Sequence, residues 1–476
     1  MLRRTKIIAT LGPATDNSEI LSDMIEKGID VVRINFSHDT ASDHKNRVAM
    51  VRKIAQQCGR DIGIIGDLQG PKIRIKTFDK GKVELNKGEQ FFLDTKLNEL
   101  EGDKKGVGVD YENFHMDVVA GDTLLLSDGR IKLKVEKIRK TRILTSVIEG
   151  GILYDNQGMN RKGGGLSTPA ITKKDIQDIK LAAQLEIDFL AISFIRSAQD
   201  IENVRQHYHD AGGNGLIVSK IERKEAVECI DSIIDASDVI MVARGDLGVE
   251  VGFTELTGIQ KQIIRKTRYK NKVVITATQM MESMIHNSVP TRAEVSDVSN
   301  AVMDGTDAVM LSAETAIGKN PVLVVSATND ICYGAEKYTL PRGRTAHRLD
   351  DQFEHIDESI AMAVMYTANH LAVRAIISLT ESGSTALWMS RIRSDIPIYA
   401  FTPHVSSSRR VTLYRGVYPV SFKYDTDDIK SLYKNIFSIL LDKQLVEEND
   451  LVIFTKGEMK GISGGTNSMR IIRVTT

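Results

Sequence analysis

Cysteine is scarce in this 476-residue chain: Cys58, Cys229 and Cys332 are scattered and odd in number. They cannot supply a disulfide framework and they fit a reducing compartment, so a cytoplasmic location is expected. Net charge is lacking too. Lysines and arginines number 63, as do aspartates and glutamates. Nothing global then draws the chain to nucleic acid or to an acidic membrane, and any anion site must be local. No apolar run approaches the roughly 18 residues of a membrane-spanning helix. Arg3 and Arg4 stand near the start, but the apolar segment behind them stops at Gly12-Pro13, too short and strand-like for a signal peptide. No His or Cys spacing suggests zinc, since His207 and His209 point apart on a helix. There is no low-complexity tract and no short-period solenoid repeat. What remains is the composition of a globular protein with room for two to four domains.

What the chain does have is eight short apolar runs that end in polar residues: KIIATLG, DVVRINFS, IGIIGDLQG, DFLAISF, LIVSKIE, DVIMVARGD, VVITATQ and AVMLSAE. Short apolar runs are how buried parallel strands read, and helical patterns separate these, as in NSEILSDMIEKG with Gly28 as its C-cap. The expected fold class is α/β, a (β/α)8 TIM barrel whose chemistry lies at the strand C-termini. Asn35, Ser37, Asp67, Lys220, Glu222, Asp246, Thr278 and Glu314 would then converge on one mouth.

About 100 residues separate the third run from the fourth, far more than a loop. Within them VELNKGEQFFLD, DTLLLSDGRIKLKVEKI and RILTSVIEGGIL alternate apolar with polar. That pattern predicts an inserted small β-barrel domain of antiparallel strands. The βα rhythm resumes where Thr172 or a neighbour can cap a helix. After the polar stretch LPRGRTAHRLDDQFEH come a helix at about 357–370 and five runs, AIISLTESG, IPIYAFT, VYPVSF, DLVIFTKG and RIIRVTT. These predict a C-terminal open α/β domain. The expected partition is a barrel of residues 1–68 and 168–340, an insert of 69–167 and a C-terminal domain of 350–476.

Several segments carry candidate chemistry. In RINFS, Arg33, Asn35 and Ser37 alternate and share a strand face, as a polar loop edge or as a binding surface. Lys220 and Glu222 share another face, as a plain ion pair or as part of a site. Asp246, beside the permissive Gly245, adds a second carboxylate from the next strand end. Two carboxylates with room for water and phosphate suit Mg²⁺. In TATQMMESM, Thr276 and Thr278 are placed on one face, as caps, core hydroxyls or anchors for a carboxylate, while the methionines pack. GDLQGPKIR lacks Walker A spacing, yet Asp67, Lys72 and Arg74 can meet a phosphate.

With KIIATLGPAT, RINFSH, GDLQGPKIR, LIVSKIERKEAV, MVARGDLGVE, ITATQMMESM, PTRAEVSDVSNAV and DGTDAVMLSAETA in order, the chain resembles the pyruvate kinase family over essentially its whole length. The resemblance implies phosphoryl transfer from phosphoenolpyruvate to ADP, giving pyruvate and ATP, with Mg²⁺ and K⁺ as cofactors and a homotetrameric assembly. By the same resemblance Lys220 stabilises the transferring phosphoryl group, and Arg33 contacts phosphate. Gly245, Asp246 and Thr278 hold substrate, with Thr278 on the proton-delivery side. Glu222 and Asp246 ligate Mg²⁺, and Asn35, His38 and Arg74 lie on the nucleotide side. The insert would be a lid. A monovalent-cation site would use Asn35, Ser37, Asp67 and the Leu68 carbonyl.

Two departures qualify this. Lys72 stands where K⁺-using members usually carry Glu, so it is expected to replace K⁺. Gln157 stands where many relatives have a nucleotide-contacting Lys, with Arg161 or Lys162 as substitutes. In TESGSTA, the residues Thr380, Ser382, Gly383, Ser384 and Thr385 match an effector-phosphate loop, and also read as an ordinary helix cap. Glu381 replaces a frequent Lys there, so a monophosphorylated effector is expected, with TKGEMKGISGGTN as second wall. The rivals are a Mg²⁺-dependent barrel lyase or aldolase and a metabolite-sensing relative without turnover.

Overall fold

The protein is described by a computed structural model covering residues 2–338, 353–392, 394–423, 428–457 and 464–475. All eight apolar runs form strands: β1 (Lys6–Thr10), β2 (Val31–Asn35), β3 (Gly63–Asp67), β4 (Phe189–Ile192), β5 (Leu216–Ile221), β6 (Val239–Ala243), β7 (Val273–Ala277) and β8 (Ala308–Leu311). They hydrogen-bond in sequential order, and β8 returns to β1 to close a barrel. Closure is parallel, with Lys6 opposite Ala308 and Ile8 opposite Val31. β1, β3, β6 and β7 are buried along their whole length. Both faces of a barrel strand are covered, which is why these segments read as unbroken apolar runs.

Intervening helices start where their caps direct. Asn17 accepts from the amides of Glu19 and Ile20 at 2.7 and 3.3 Å, and Gly28 beyond that helix has φ of 110°. Thr172 and Asp175 bond reciprocally ahead of Lys173–Gln184. Among the described residues no helix is long and apolar enough to cross a membrane.

The chain packs as two compact units. One comprises Met1–Gly66, Leu185–Phe189 and Thr267–Thr476; the other comprises Asp67–Gln184 and Leu190–Lys266. The second unit contains the insert. Its strands form a six-stranded sheet ordered Met159–Arg161, Thr123–Leu126, Ile131–Arg139, Arg142–Glu149, Gln90–Asp94, Gly106–Gly108, with a separate ladder of Gly151–Tyr154 on Lys82–Leu85. The expected insert of mainly antiparallel strands is present, built as these two sheets with isolated bridges such as Arg74 to Gly158 and Ile75 to Val109 beside them. They share one apolar core that includes Phe78, Phe91, Phe114, Leu124 and Leu133. The alternation seen in the sequence is the burial alternation of Ile131–Arg139, whose Ile131, Leu133 and Val135 point inward.

The first unit carries the C-terminal sheet of β9 (Ala375–Leu379), β10 (Ile398–Thr402), β11 (Val417–Ser421), β12 (Leu451–Gly457) and β13 (Thr466–Arg473), ordered β11-β10-β9-β12-β13. Only β13 runs antiparallel to its neighbour. This domain is tied to the starts of barrel strands. Arg391 meets Asp307 in a bidentate pair at 2.8 and 2.5 Å and donates to the Lys272 carbonyl at 2.8 Å. Asp307 also accepts from the Val274 amide at 2.8 Å. Lys6 is buried, donates to the Val417 carbonyl at 2.6 Å and lies 4.5 Å over the Tyr418 ring. Burial pushes its ammonium down to about 8, against the pull of Asp30. Glu336 accepts from the Thr5 amide at 2.7 Å and pairs with Arg4.

Candidate active site

The residues expected at the barrel mouth divide between the two units. In the second unit they form one connected cluster. Asp67 ends β3 and Lys220 lies near the end of β5. Glu222 follows that strand, and Asp246 sits in the first turn of the helix Arg244–Val251, three residues past the end of β6 rather than on it. The Lys220 ammonium reaches Asp67 Oδ1 at 3.1 Å, Glu222 Oε1 at 3.0 Å and Ser193 Oγ at 2.7 Å. Glu222 Oε2 accepts from the Phe194 amide at 2.8 Å. Burial raises the Glu222 carboxyl above its ordinary range. Lys220 opposes the rise, while Asp246 and Asp67 add to it by repulsion.

Lys72 reaches Asp246 Oδ1 at 2.9 Å, and both side chains are about a quarter exposed. Its ammonium therefore rests on an expected Mg²⁺ ligand, while Asp67 pairs with Lys220. The cluster holds two ammoniums and three carboxylates. Its excess of one negative charge, on oxygen donors that repel each other, suits a hard divalent cation. Among the described residues no three His, Cys, Asp or Glu groups form a ready-made metal cage.

Around this cluster the insert joins the barrel. Arg74 donates to the Asn156 carbonyl at 3.0 Å, and Arg161 pairs with Asp122 at 2.9 Å, so both cations are engaged inside the insert. The Gln157 carbonyl accepts from the Ile75 amide at 3.0 Å. Gly163, Gly164 and Gly165 all have positive φ, between 79° and 90°, a backbone that glycine adopts without strain. Glu250, 6% exposed, accepts from Asn160 Nδ2 at 3.3 Å and from the Lys224 amide at 3.0 Å. Burial pushes its carboxyl up to about 7. The Lys224 amide and Arg223 pull it down, and Glu225 adds to the rise.

In the first unit, Arg33 Nη1 donates to Thr10 Oγ1 at 3.3 Å. Asn35 Oδ1 accepts from the Ser37 amide at 3.2 Å, so this pair shapes the turn after β2, and His38 is exposed. The expected shared face of Thr276 and Thr278 is corrected. β7 ends at Ala277, and Thr278 and Gln279 follow in left-handed conformation, φ 67° and 54°. Thr276 is a buried core hydroxyl bonded to Thr306 at 3.0 Å. Non-glycine residues held left-handed cluster at functional sites, which favours Thr278 over Thr276. Glu314 is also corrected from a reactive group. It is buried and accepts from the Met281 and Ser312 amides at 3.1 and 2.6 Å.

In the C-terminal domain Thr380 follows β9, and Gly383 (φ 89°) caps the helix Ser384–Arg391. Thr380 Oγ1 accepts from the Gly383 amide at 2.9 Å, and Thr385 meets Thr466 at 2.6 Å. Ser382 is half-buried. Asp357 accepts from Ser384 Oγ at 3.4 Å and from the Trp388 indole at 3.2 Å. Glu381 pairs with His404 at 2.6 Å. Residues 458–463 of the expected second wall lie outside the described residues, as does most of the polar stretch before this domain.

Sequence reasoning missed Ser193 and Phe194. DFLAISF carries polar Ser193 just past its strand, as other runs carry Asn35 or Asp67 at theirs, so the same rule points to it.

Comparison with known proteins gives a consistent picture. The family profile described as "Pyruvate kinase, barrel domain" matches residues 2–325, and "Pyruvate kinase, alpha/beta domain" matches 358–472. The chain is 52% identical to "Pyruvate kinase II" of Salmonella typhimurium over 478 residues, covering 99% of each. It is 50% identical to a "Pyruvate kinase" of Buchnera aphidicola, covering 100% of this chain and 99% of the relative. It is 50% identical to one of Haemophilus influenzae, covering 96% of both.

Proposed function

The chain belongs to the pyruvate kinase family of phosphotransferases, and we propose on that premise that it transfers the phosphoryl group of phosphoenolpyruvate to ADP in a Mg²⁺-dependent step. The observation that carries this reading is the cluster of Lys220, Asp67, Glu222, Asp246 and Lys72. Phosphoryl transfer demands positioning and charge neutralisation more than covalent chemistry from the protein. Lys220 supplies a compact cation oriented by Asp67, Glu222 and Ser193, set to stabilise negative charge on the transferring phosphoryl group and the enolate oxygen. Glu222 and Asp246 would hold Mg²⁺. Such an ion would supply Lewis-acid charge for the phosphoryl transfer.

The remaining roles follow the resemblance. Arg33 contacts phosphate, and Gly245 and Thr278 hold the substrate carboxylate, with Thr278 on the proton-delivery side. Asn35, His38 and Arg74 serve the nucleotide. The insert, residues 69–167, acts as a lid that excludes water. A coupled pyruvate assay with Mg²⁺ and K⁺ varied independently tests the reading. ATP formed from phosphoenolpyruvate and ADP supports it, and a Mg²⁺-dependent lyase activity without ATP overturns it.

We propose further that Lys72 takes over the role of K⁺ at Asn35, Ser37, Asp67 and the Leu68 carbonyl, with the correction that its ammonium pairs with Asp246, on the Mg²⁺ side, and so would act through the shared charge of the acidic cluster. Activity should persist without K⁺, and Lys72→Glu should bring K⁺ dependence; a parent inactive without K⁺ refutes the substitution. The loop Thr380–Thr385 is a site for a monophosphorylated sugar or nucleotide effector, because Asp357 and Glu381 set two carboxylates beside it and disfavour a doubly charged ligand pair. Trp388 is the sole tryptophan and bonds Asp357, so its fluorescence reports the loop. Ligand-induced change should vanish in Ser384→Asp; an unchanged response removes the site. The working state is a cytoplasmic homotetramer, to be checked by light scattering.

A further inference from the structure

Lysine ammoniums donate only, so the contact at 2.7 Å makes Ser193 Oγ an acceptor from Lys220. The serine proton must then go elsewhere. Its closest acceptor is the Leu68 carbonyl at 2.8 Å, against 3.4 Å to Asp67 Oδ1. The direction of the chain is thereby fixed: Lys220 to Ser193 to Leu68. Leu68 is itself anchored, its amide donating to the Ala191 carbonyl at 3.0 Å.

The segment holding Ser193 has little freedom. Ser193 is 1% exposed. A Cβ on Gly70 would lie 2.9 Å from Ser193 Cβ and 3.1 Å from its carbonyl oxygen, so the DLQG turn closes directly over it. Gly70 is held in turn by its amide to Asp175 at 3.0 Å. The next residue, Phe194, has φ of 57°, a conformation unfavourable for a bulky side chain. That backbone aims the Phe194 amide at Glu222 Oε2, 2.8 Å away. Consecutive residues after β4 therefore grip the lysine and the carboxylate that Lys220 also touches.

We propose that Ser193 is a positioning residue for phosphoryl transfer: its hydroxyl fixes the direction of the Lys220 ammonium, and the strained Phe194 backbone holds it in register with Glu222. The inference rests on Lys220 being the group that stabilises the transferred phosphoryl. Ser193 acts through that lysine and needs no contact with substrate. Without the hydroxyl, Lys220 keeps two carboxylate acceptors and can swing toward them, away from the phosphoryl path.

The test is a kinetic cycle on the intact enzyme. Ser193→Ala should lower kcat by roughly 10- to 100-fold, as expected for misplacing one catalytic group, with KM for phosphoenolpyruvate changed by less than about threefold. Lys220→Arg keeps the cation but alters its reach, and leaves residual activity to measure. If Ser193 works through Lys220, Ser193→Ala in the Lys220→Arg background should cost less than about threefold. Equal losses in both backgrounds, or parent-like kcat in Ser193→Ala, overturn the inference. Parent-like activity in Lys220→Arg instead overturns the role given to Lys220. Ser193→Ala removes one atom, and matched circular-dichroism melts give the folded fraction by which kcat is normalised, so loss of folded protein cannot imitate the kcat effect.

Discussion

Arg391 against Asp307 and Lys220 among Asp67, Glu222 and Ser193 are both cations sealed beside acids, yet they are organised for opposite ends. The Arg391 pair is 1% and 2% exposed and balanced one to one. Asp307 has both oxygens bonded to the guanidinium, and its remaining capacity goes to the Val274 amide. A planar fork on a planar carboxylate admits one geometry. The Lys220 cluster is unbalanced, with point-charge ammoniums that rotate and carboxylates that repel. The first arrangement fixes the C-terminal domain against the starts of β7 and β8. The second leaves capacity for a further cation and a charged substrate.

Substitutions can break or sharpen that contrast. Lys220→Met should cut kcat on the order of 10³-fold or more in the coupled pyruvate assay, the scale of losing a principal transition-state cation. Arg391→Met should do the reverse. It leaves Asp307 buried without its guanidinium and should cost about 3–5 kcal/mol in urea unfolding, with kcat of the folded fraction held within about threefold. Comparable kcat losses in both would erase the distinction.

Glu250→Gln probes an intermediate case at the insert junction. The Glu250 carboxyl lies near 7 when folded, against an ordinary 4.5. Between those values the folded protein keeps a proton that the unfolded chain has released. Its contribution is therefore full below about pH 4.5, declines as pH rises and is gone above about pH 7. The parent should lose on the order of 2–3 kcal/mol across that window relative to Glu250→Gln, read as the pH slope of the unfolding midpoint. Parallel slopes would show the carboxyl is unperturbed. Lys72→Met should have the smallest effect on stability, within about 1 kcal/mol for a partly exposed pair. Its signature should be an altered half-saturation by Mg²⁺, since Asp246 loses a competing cation; an unchanged Mg²⁺ curve would detach Lys72 from the metal.

The barrel was legible because burial on both faces leaves mostly apolar residues in strands such as GIIGD and VVITA, with polar ones near their ends. The insert's alternation was legible for the converse reason. Its strand order was not, because pairing is settled in part by short pieces such as Gly106–Gly108 that carry no pattern. Lys220, Glu222 and Asp246 announced themselves by residue type. Thr278 escaped the period-two rule because the strand stops one residue earlier. Glu314 misled because a carboxylate serving two backbone amides looks in sequence like one awaiting a ligand. Arg391 and Asp307 lie in different domains, and a long-range partner leaves no local mark.

The position of the insert also sets an order of assembly. Every member of its apolar core falls within one continuous stretch from Ile73 to Leu166, whereas β3 must find β4 across that stretch and β1 must find β8 from far down the chain. Local contacts form early and distant ones late. On the ribosome the insert can consolidate while β1 to β3 still expose unpaired edges, so the barrel passes through a stage vulnerable to aggregation that ends only when Ala308–Leu311 has emerged.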